Sequence, residues 1–259
     1  MCEMISMEHV TKAYYTNRKK TQARVVLDDV SMRIDNNEFV CLIGPSGCGK
    51  TTVLNIIAGF EKPTMGEVYC CGNKVSGPSP QRGVVFQEYS LLPWLSAKSN
   101  VKLALEAKGV PEKEQDERAM ELLKIVRMDK YADMRPNTLS GGMKQRVAIA
   151  RMLALEPKTM LMDEPFSALD ADTRSLLDRD MVELWEQGKT IVFVTHIIEE
   201  AVQVASRIVL FSESPGKIAR EWNLDMQHPR DPNSPEFIRI KDEINEALAE
   251  ISKGQGDVI

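Results

Sequence analysis

The segment 44–51 of this sequence has the composition of a loop that binds phosphate groups. Its residues are Gly-Pro-Ser-Gly-Cys-Gly-Lys-Thr, which match the pattern G-x-x-x-x-G-K-[ST] at every fixed position. In such a loop the backbone N–H groups turn inward around an anion, and the N-terminus of the following helix adds its dipole. Lys50 supplies a cation for the β- and γ-phosphates of a nucleotide, and the Thr51 hydroxyl is placed to ligate Mg²⁺. A glycine-rich turn without a ligand is the alternative, and the complete match disfavours it.

Two adjacent carboxylates follow a second run that is typical of a buried strand. The segment 159–162 is Thr-Met-Leu-Met, and Asp163 and Glu164 come directly after it. Asp163 then lies at the carboxyl end of a strand, where open parallel sheets bind ligands, and it is suited to hold Mg²⁺ through water. Glu164 is free to polarise an attacking water as a general base. Alone, such a run is common and helix capping explains it better. Together with the phosphate loop, it predicts a site that hydrolyses a nucleotide.

A third motif separates this sequence from kinases and GTPases. Residues 139–146 are Leu-Ser-Gly-Gly-Met-Lys-Gln-Arg, and here the chain resembles the ATP-binding subunits of ATP-binding-cassette (ABC) transporters. The resemblance covers roughly residues 5–211. It implies that Ser140, Gly141 and Gly142 hold the γ-phosphate of an ATP bound to the opposite subunit, so that two copies sandwich two nucleotides head to tail. A serine N-cap before a helix is the local alternative, and both roles use the same geometry.

Two further positions of the resemblance lie on either side of the phosphate loop. Tyr14 resembles the aromatic residue that stacks on adenine, although the neighbouring Tyr15 could do the same. Gln87, which follows the run 84–86, resembles the glutamine that contacts Mg²⁺ and water and links the core to a helical subdomain. Both roles are implied by the resemblance.

The last two matches follow the carboxylates along the chain. Residues 167–170, Ser-Ala-Leu-Asp, resemble the loop that crosses the dimer interface, which places Asp170 beside the nucleotide. His196 resembles the switch histidine that senses the γ-phosphate. A lone histidine is more often structural, but this one follows the predicted strand 191–194. Ile197 departs from the family, in which aspartate is usual, and we expect this to soften the hydrogen bonding of the switch loop.

The resemblance thus implies one set of site residues. ATP is expected to contact Tyr14, Gly44, Pro45, Ser46, Gly47, Cys48, Gly49, Lys50, Thr51, Thr52, Ser140, Gly141, Gly142 and Asp170. Mg²⁺ is the expected cofactor, held by Thr51, Gln87 and Asp163. The expected catalytic residues are Glu164, His196 and Gln87.

The cysteines of the chain are Cys2, Cys41, Cys48, Cys70 and Cys71. An odd count without an export signal predicts reduced thiols rather than disulfides. Because Cys48 lies near a helix N-terminus and a lysine, we expect it to be the most reactive of the five unless the loop buries it. A space-filling role is the alternative. The adjacent pair 70–71 is disfavoured as a metal site, because no second Cys or His pair lies at ligand spacing.

Short apolar runs predict the strands and helices that position these residues. Helical patterns separate most of these runs, as in a doubly wound α/β core. Residues 1–40 instead predict antiparallel strands, and residues 96–156 predict only helices. The apolar runs are 39–43, 83–86, 160–162, 191–194 and 208–211.

The predicted fold is therefore α/β: a P-loop NTPase core of the ABC ATPase type with an antiparallel β subdomain and an inserted helical subdomain at about 88–156. We divide the chain into an ABC ATPase domain, 1–211, and a C-terminal extension, 212–259. The extension is predicted to end in an amphipathic helix, because apolar residues recur at spacings of three and four. These residues are Phe237, Ile240, Ile244, Leu248 and Ile251.

Composition and charge limit the partners. The net charge of −5 and a pI near 5.4 argue against duplex DNA. The longest apolar runs are far shorter than the ~20 residues that cross a bilayer, and the sequence start does not resemble a secretory signal. The resemblance implies a second copy of the chain and a multi-spanning membrane permease subunit as partners, no nucleic acid, and a peripheral position on the cytoplasmic face of the membrane. A periplasmic or extracellular solute-binding protein would be an indirect partner.

The segments 77–94 and 195–201 are similar to the branch of importers for nitrate, sulfonate and taurine. In this chain an apolar cluster follows the strand that precedes Gln87, at the place where members of the resembled family receive a short helix from the membrane subunit. Packing inside the helical subdomain is an equal alternative. The cluster consists of Tyr89, Leu91, Leu92 and Trp94.

Two other functions are weighed against transport. A soluble ABC ATPase of DNA repair or translation is the main alternative, but such proteins typically carry long coiled-coil insertions or a second cassette, and this sequence has neither. A small-molecule phosphotransferase is disfavoured by the motif at 139–143.

Overall fold

The N-terminal part of the chain forms an antiparallel sheet. The computed structural model describes residues 3–15, 22–86, 90–167 and 169–253. The sheet has the order β2–β1–β4–β5, and inner residues of β2 alternate between buried and exposed, as the sequence predicted. Its strands are β1 (Glu3–Tyr15), β2 (Ala23–Asp35), β4 (Met65–Cys70) and β5 (Asn73–Lys74).

A second, mainly parallel sheet forms the centre of the molecule. Its order is β10–β9–β3–β8–β7–β6, with β10 antiparallel at the edge. Each predicted apolar run lies in one of the five parallel strands, give or take a residue at its ends. The strands are β3 (Phe39–Ile43), β6 (Arg82–Val85), β7 (Thr159–Asp163), β8 (Thr190–Val194), β9 (Arg207–Phe211) and β10 (Ile218–Asn223).

Helices cover both faces of this sheet. Only helices and short 3₁₀ turns lie between residues 97 and 153, as the sequence predicted. Thus the predicted α/β fold with an antiparallel sheet and a helical insertion is confirmed. The helices are α1 (Lys50–Ala58), α2 (Ala97–Ala107), α3 (Glu112–Ile125), α4 (Gly141–Leu153), α5 (Ala171–Glu186), α6 (Ile198–Val204) and α7 (Pro235–Lys253).

Strand β3 divides the hydrophobic core into two layers. Phe39 and Cys41 pack with α2–α7 on one face, whereas Val40 and Leu42 pack with α1 and the antiparallel sheet on the other. All four side chains are fully buried, which explains why the run is continuously apolar rather than alternating. Since β3 leads directly into the phosphate loop, both layers hold the base of that loop in place.

A buried ion pair joins the helical insertion to α5. Asp180 accepts a hydrogen bond of 2.7 Å from Arg146 and lies 3.1 Å from Arg127. Arg146 also donates to the carbonyl of Val126. Removing one partner of such a pair costs about 3–5 kcal/mol, because the other charge is left buried. The pair therefore fixes α4, which carries the 139–146 motif, against α5.

The C-terminal extension packs on the same core. The chain is helical over the predicted residues, and Phe237, Ile240 and Ile244 of α7 are buried. Arg230 donates to the carbonyls of Val202 and Ala205 at the end of α6. The division into domains at residue 211 stays a prediction. Within the described ranges, no helix is both long and apolar enough to cross a membrane.

Candidate nucleotide-binding and hydrolysis site

The phosphate loop connects β3 to α1. Gly44 and Gly49 have φ angles of +145° and +103°, which favour glycine. A Cβ on Gly49 would lie 2.6 Å from the side chain of Leu27, so the loop also needs a residue without a side chain there. Lys50 starts α1, and its Nζ donates to the carbonyls of Gly44 at 2.8 Å and Pro45 at 2.9 Å. The ammonium group is thus held against the loop, where the sequence placed it.

Thr51 and Asp163 meet at the carboxyl end of the sheet. The Thr51 hydroxyl donates to Asp163 Oδ1 at 3.2 Å, although 112 residues separate the two. Burial raises the pKa of Asp163, and the neighbouring Glu164 carboxylate adds to this, while Thr51 opposes it. A hydroxyl and a carboxylate fit Mg²⁺, which takes one or two protein ligands and completes its shell with water and phosphate oxygens. This pair is therefore suited to hold the cation that accompanies ATP.

Glu164 and His196 form a second pair beside the first. His196 Nδ1 lies 3.3 Å from Glu164 Oε2. Glu164 has a φ of +43°, which is rare for a residue with a side chain, and its N–H donates to Val194 in the next strand. The turn directs Glu164 away from the line of β7 and towards His196. Gln87, the third expected catalytic residue, lies outside the described residues.

The switch loop is organised by two residues that the sequence analysis did not assign to the site. Thr195 donates its hydroxyl hydrogen bond to the buried Glu200, and the N–H of Ile197 donates to the Thr195 hydroxyl at 3.0 Å. The loop thus has side-chain support, although Ile197 replaces the usual aspartate. Glu200 lies in the first turn of α6, five residues after Thr195. This spacing is the sequence signal that could have indicated their contact.

Ser140 and Asp170 both cap helices. The Ser140 hydroxyl accepts from the N–H of Met143 at 3.3 Å, and Asp170 accepts from the N–H of Thr173 at 2.9 Å. A Cβ on Gly142 would lie 2.6 Å from the Thr173 methyl group, so the N-termini of α4 and α5 touch. The predicted serine cap is confirmed, and it leaves the start of α4 open to an anion.

Tyr14 is partly covered by its neighbours. Its phenol donates to Glu61, and Lys12 Nζ lies 4.8 Å from the ring centroid. Lys12 and Glu61 are themselves 3.0 Å apart. One part of the Tyr14 ring is therefore engaged with a cation, while Tyr15 is the more exposed of the two tyrosines, at 58% against 38%. The choice between them as the adenine-stacking residue stays open.

The expected high reactivity of Cys48 does not agree with its position. Its side chain is fully buried in the core layer beneath the loop. Burial raises the pKa of Cys48, and the nearby Lys50 opposes this shift without cancelling it. The thiol therefore fills space, while the backbone of Cys48 belongs to the loop.

We expect a maleimide to label Cys71 well before Cys48, because Cys71 is partly exposed and reaction requires an accessible thiolate. Mass spectrometry of the alkylated sites at short times measures both rates. Faster labelling of Cys48 than of Cys71 would contradict the buried position.

An acidic pair lies behind the switch loop. Asp178 of α5 and Glu200 of α6 are both buried and line a cleft bounded by the C-terminal extension. Burial, with a contribution from the charge of Glu200, raises the pKa of Asp178 from 3.8 to about 8. The folded protein therefore keeps a proton that the unfolded chain has lost above pH 3.8. Stability from this group is fully present below pH 3.8 and is lost as the pH rises to about 8.

Asp178→Asn is expected to raise the free energy of unfolding at pH 8 by on the order of 1–3 kcal/mol, because the amide needs no proton to be neutral. The gain should shrink as the pH is lowered towards 4. Urea denaturation at several pH values measures it, and Asp172→Asn, an exposed change on the same helix, is the control. A gain that does not depend on pH would contradict the assigned titration.

Comparisons with known proteins agree with the motifs described above. A family model described as ABC transporter matches residues 27–167. An ABC transporter ATP-binding protein of Methanocaldococcus jannaschii is 44% identical over 93% of this chain and 89% of its own length. The nitrate import ATP-binding protein NrtD of Synechocystis is 42% identical over 86% and 88% of the two chains. The aliphatic sulfonates import ATP-binding protein SsuB of Bacillus cereus is 41% identical over 93% and 94%.

A solved structure agrees with these relatives. The dimeric post-hydrolysis state of the ATP-binding cassette MJ0796, bound to ADP and Pi, has a TM-score of 0.77 and 38% identity. It matches 86% of this chain and all of its own. Both the sequence and the fold therefore lead to the same family. The chain belongs to the ABC transporter family, as a subunit that binds and hydrolyses ATP to power transport.

Proposed function

We propose that this subunit drives an importer of nitrate, sulfonate, taurine or a similar small solute. Two similar proteins are named for nitrate and for sulfonate import, and the segments 77–94 and 195–201 resemble that branch. The proposal that the subunit hydrolyses ATP rests on two contacts at one edge of the sheet. Thr51 contacts Asp163 there, and Glu164 lies beside His196. No observation supports a role in DNA repair or translation.

The proposed mechanism assigns one task to each group. The loop amides and Lys50 bind the phosphates. Thr51 and Asp163, with Gln87, would hold Mg²⁺, which would neutralise charge on the transferred phosphoryl group. Glu164 accepts a proton from the attacking water. His196, whose Nδ1 lies 3.3 Å from Glu164 Oε2, fixes the direction of that carboxylate and senses the γ-phosphate.

We further propose that a second copy of the chain completes each site. Ser140, Gly141 and Gly142 at the start of α4, and Asp170 before α5, would face the nucleotide of the partner. The two helix N-termini touch in one protomer, so they form a single donor-rich surface. The dimeric MJ0796 structure supports this arrangement. ATP would close the dimer, and hydrolysis would release it.

The membrane partner is proposed to dock beside the 90–95 segment. Trp94 is 65% exposed, whereas Leu91 packs partly against the core. Tyr89, another member of the predicted cluster, lies outside the described residues. Phe60 and Phe86 stack at 5.7 Å and are also exposed. Such a patch suits an apolar helix of a multi-spanning permease. We therefore propose a peripheral position on the cytoplasmic face of the membrane, with a solute-binding protein as an indirect partner.

Affinity purification from detergent-solubilised membranes tests this function. A multi-spanning protein should co-purify with the wild-type chain and should be lost or strongly reduced with Trp94→Asp. Ile238→Asp, at an exposed apolar residue of α7, is the matched control and should retain the partner. Recovery of ribosomes or DNA without a membrane protein would contradict the proposal.

A further inference from the structure

Three sulfur atoms meet at one end of the antiparallel sheet. Cys70 ends β4, and Cys71, with a φ of +50°, begins the turn to β5. The two Sγ atoms are 3.9 Å apart. Met4 of β1 brings its Sδ to 3.2 Å from the Cys71 Sγ, and its carbonyl accepts a hydrogen bond from the Cys71 N–H at 2.8 Å. The sequence showed only the adjacent cysteines, because the third sulfur comes from a strand 66 residues earlier.

The separation of the thiols suits a shared ion. Metal–sulfur bonds are roughly 2.3 Å long, so two sulfurs in a trigonal arrangement lie about 4 Å apart. Cys70 and Cys71 already have this spacing. Met4 is closer to Cys71 than such an ion requires, but its thioether lies on a side chain with three rotatable bonds and adapts readily.

We infer that Met4, Cys70 and Cys71 form a binding site for a soft monovalent metal ion of the Cu(I) class. Thiolate and thioether ligands select Cu(I) over the hard Mg²⁺ ion, and three sulfurs fall short of the four ligands of a structural Zn²⁺ site. Within the described ranges, no group of three or more His, Cys, Asp or Glu residues is arranged to bind a metal, so the site lacks the donors for a tetrahedral zinc centre.

The surroundings allow the ion to reach the three sulfurs. Cys70 and Met4 are buried, whereas Cys71 is partly exposed and provides the access. Each thiol releases its proton when the ion binds, and the oxidation state of neither sulfur nor metal changes. A vicinal disulfide would instead require an oxidant and a movement of the sulfurs to bonding distance.

Anaerobic competition for Cu(I) tests the site. The reduced full-length chain is titrated against the Cu(I) complex of bathocuproine disulfonate, whose colour falls as the protein takes the ion. Every variant carries Cys2→Ala, so that this thiol, which lies outside the described residues, does not contribute. One equivalent of Cu(I) should transfer. Cys70→Ser and Cys71→Ser should each weaken binding by at least on the order of 100-fold, and Met4→Leu by about tenfold.

Two controls keep the result specific. Met65→Leu alters an exposed methionine of β4, the strand that contains Cys70. Cys41→Ala removes a buried thiol of the central sheet. Both variants should bind Cu(I) normally. One equivalent of Cu(I) should also raise the Tm of the parent chain but not of the Cys70→Ser chain. ATP turnover should be unchanged in Cys70→Ser, because none of the three residues belongs to the nucleotide site.

Three results would overturn the inference. They are no transfer of Cu(I), transfer that persists unchanged in both cysteine variants, and thiol counts that show a Cys70–Cys71 disulfide as the only product. None of these bears on ATP hydrolysis, so the inference fails or stands independently of the proposed function.

Discussion

Glu164→Gln is expected to lower ATP turnover by about 10²–10⁴-fold, which is the usual contribution of a general base. Gln keeps the size of the side chain and can still contact His196, but it does not accept the proton of the attacking water. Nucleotide binding should survive, because Lys50 and the loop amides are unchanged. Since closure precedes hydrolysis in the proposed cycle, the variant should accumulate as an ATP-bound dimer.

Two measurements check this result. Phosphate release gives the turnover, and size-exclusion chromatography with and without ATP-Mg²⁺ gives the dimer. Glu199→Gln is a suitable control, because this exposed carboxylate lies close in sequence to the switch loop but does not contact Glu164. Near-normal turnover in Glu164→Gln would remove this residue from the role of general base.

Ser140→Arg is expected to abolish hydrolysis while ATP binding to the same chain's phosphate loop stays intact. Arginine replaces the cap of α4 with a long cation, which opposes the helix dipole and fills the surface that would face the partner's γ-phosphate. Loss of the cap itself costs only about 1 kcal/mol, so the chain should remain folded.

Asn137→Arg serves as the matched control for this change. It introduces the same side chain at an exposed position three residues earlier, outside the motif at 139–146. Turnover of this control should be close to that of the wild type, and the nucleotide affinity of both variants should be unchanged. Activity retained in Ser140→Arg would show that the start of α4 does not contact a nucleotide.

Much of the fold and the site could be predicted because it depends on local sequence. Strands β3 and β8 are buried along their whole length, and a strand that is covered on both faces leaves a strong compositional signal. The phosphate loop is likewise local, since its glycines and Lys50 lie within eight residues. Such features need no knowledge of the tertiary structure.

Other features depend on contacts between distant segments and could not be predicted. The burial of Cys48 results from packing under Leu27 and Phe211, and the loop sequence alone indicated the opposite. Likewise, Met4 joins Cys71 only through the pairing of β1 with β4. Lys12, the cation near the Tyr14 ring, pairs with Glu61, which lies 47 residues after Tyr14. In each case the sequence shows the residue itself but not the distant residue that contacts it.

The most direct test of the central claim is a mixture of two inactive chains. Lys50→Ala disables a chain's own phosphate loop, and Ser140→Arg disables the motif that a chain offers to its partner. A heterodimer of the two retains one intact composite site, so mixing differently tagged chains should restore part of the ATP turnover. Sequential affinity steps on both tags verify that heterodimers form. Restored turnover in this doubly purified sample is the predicted result, and verified heterodimers without any turnover would contradict the head-to-tail arrangement.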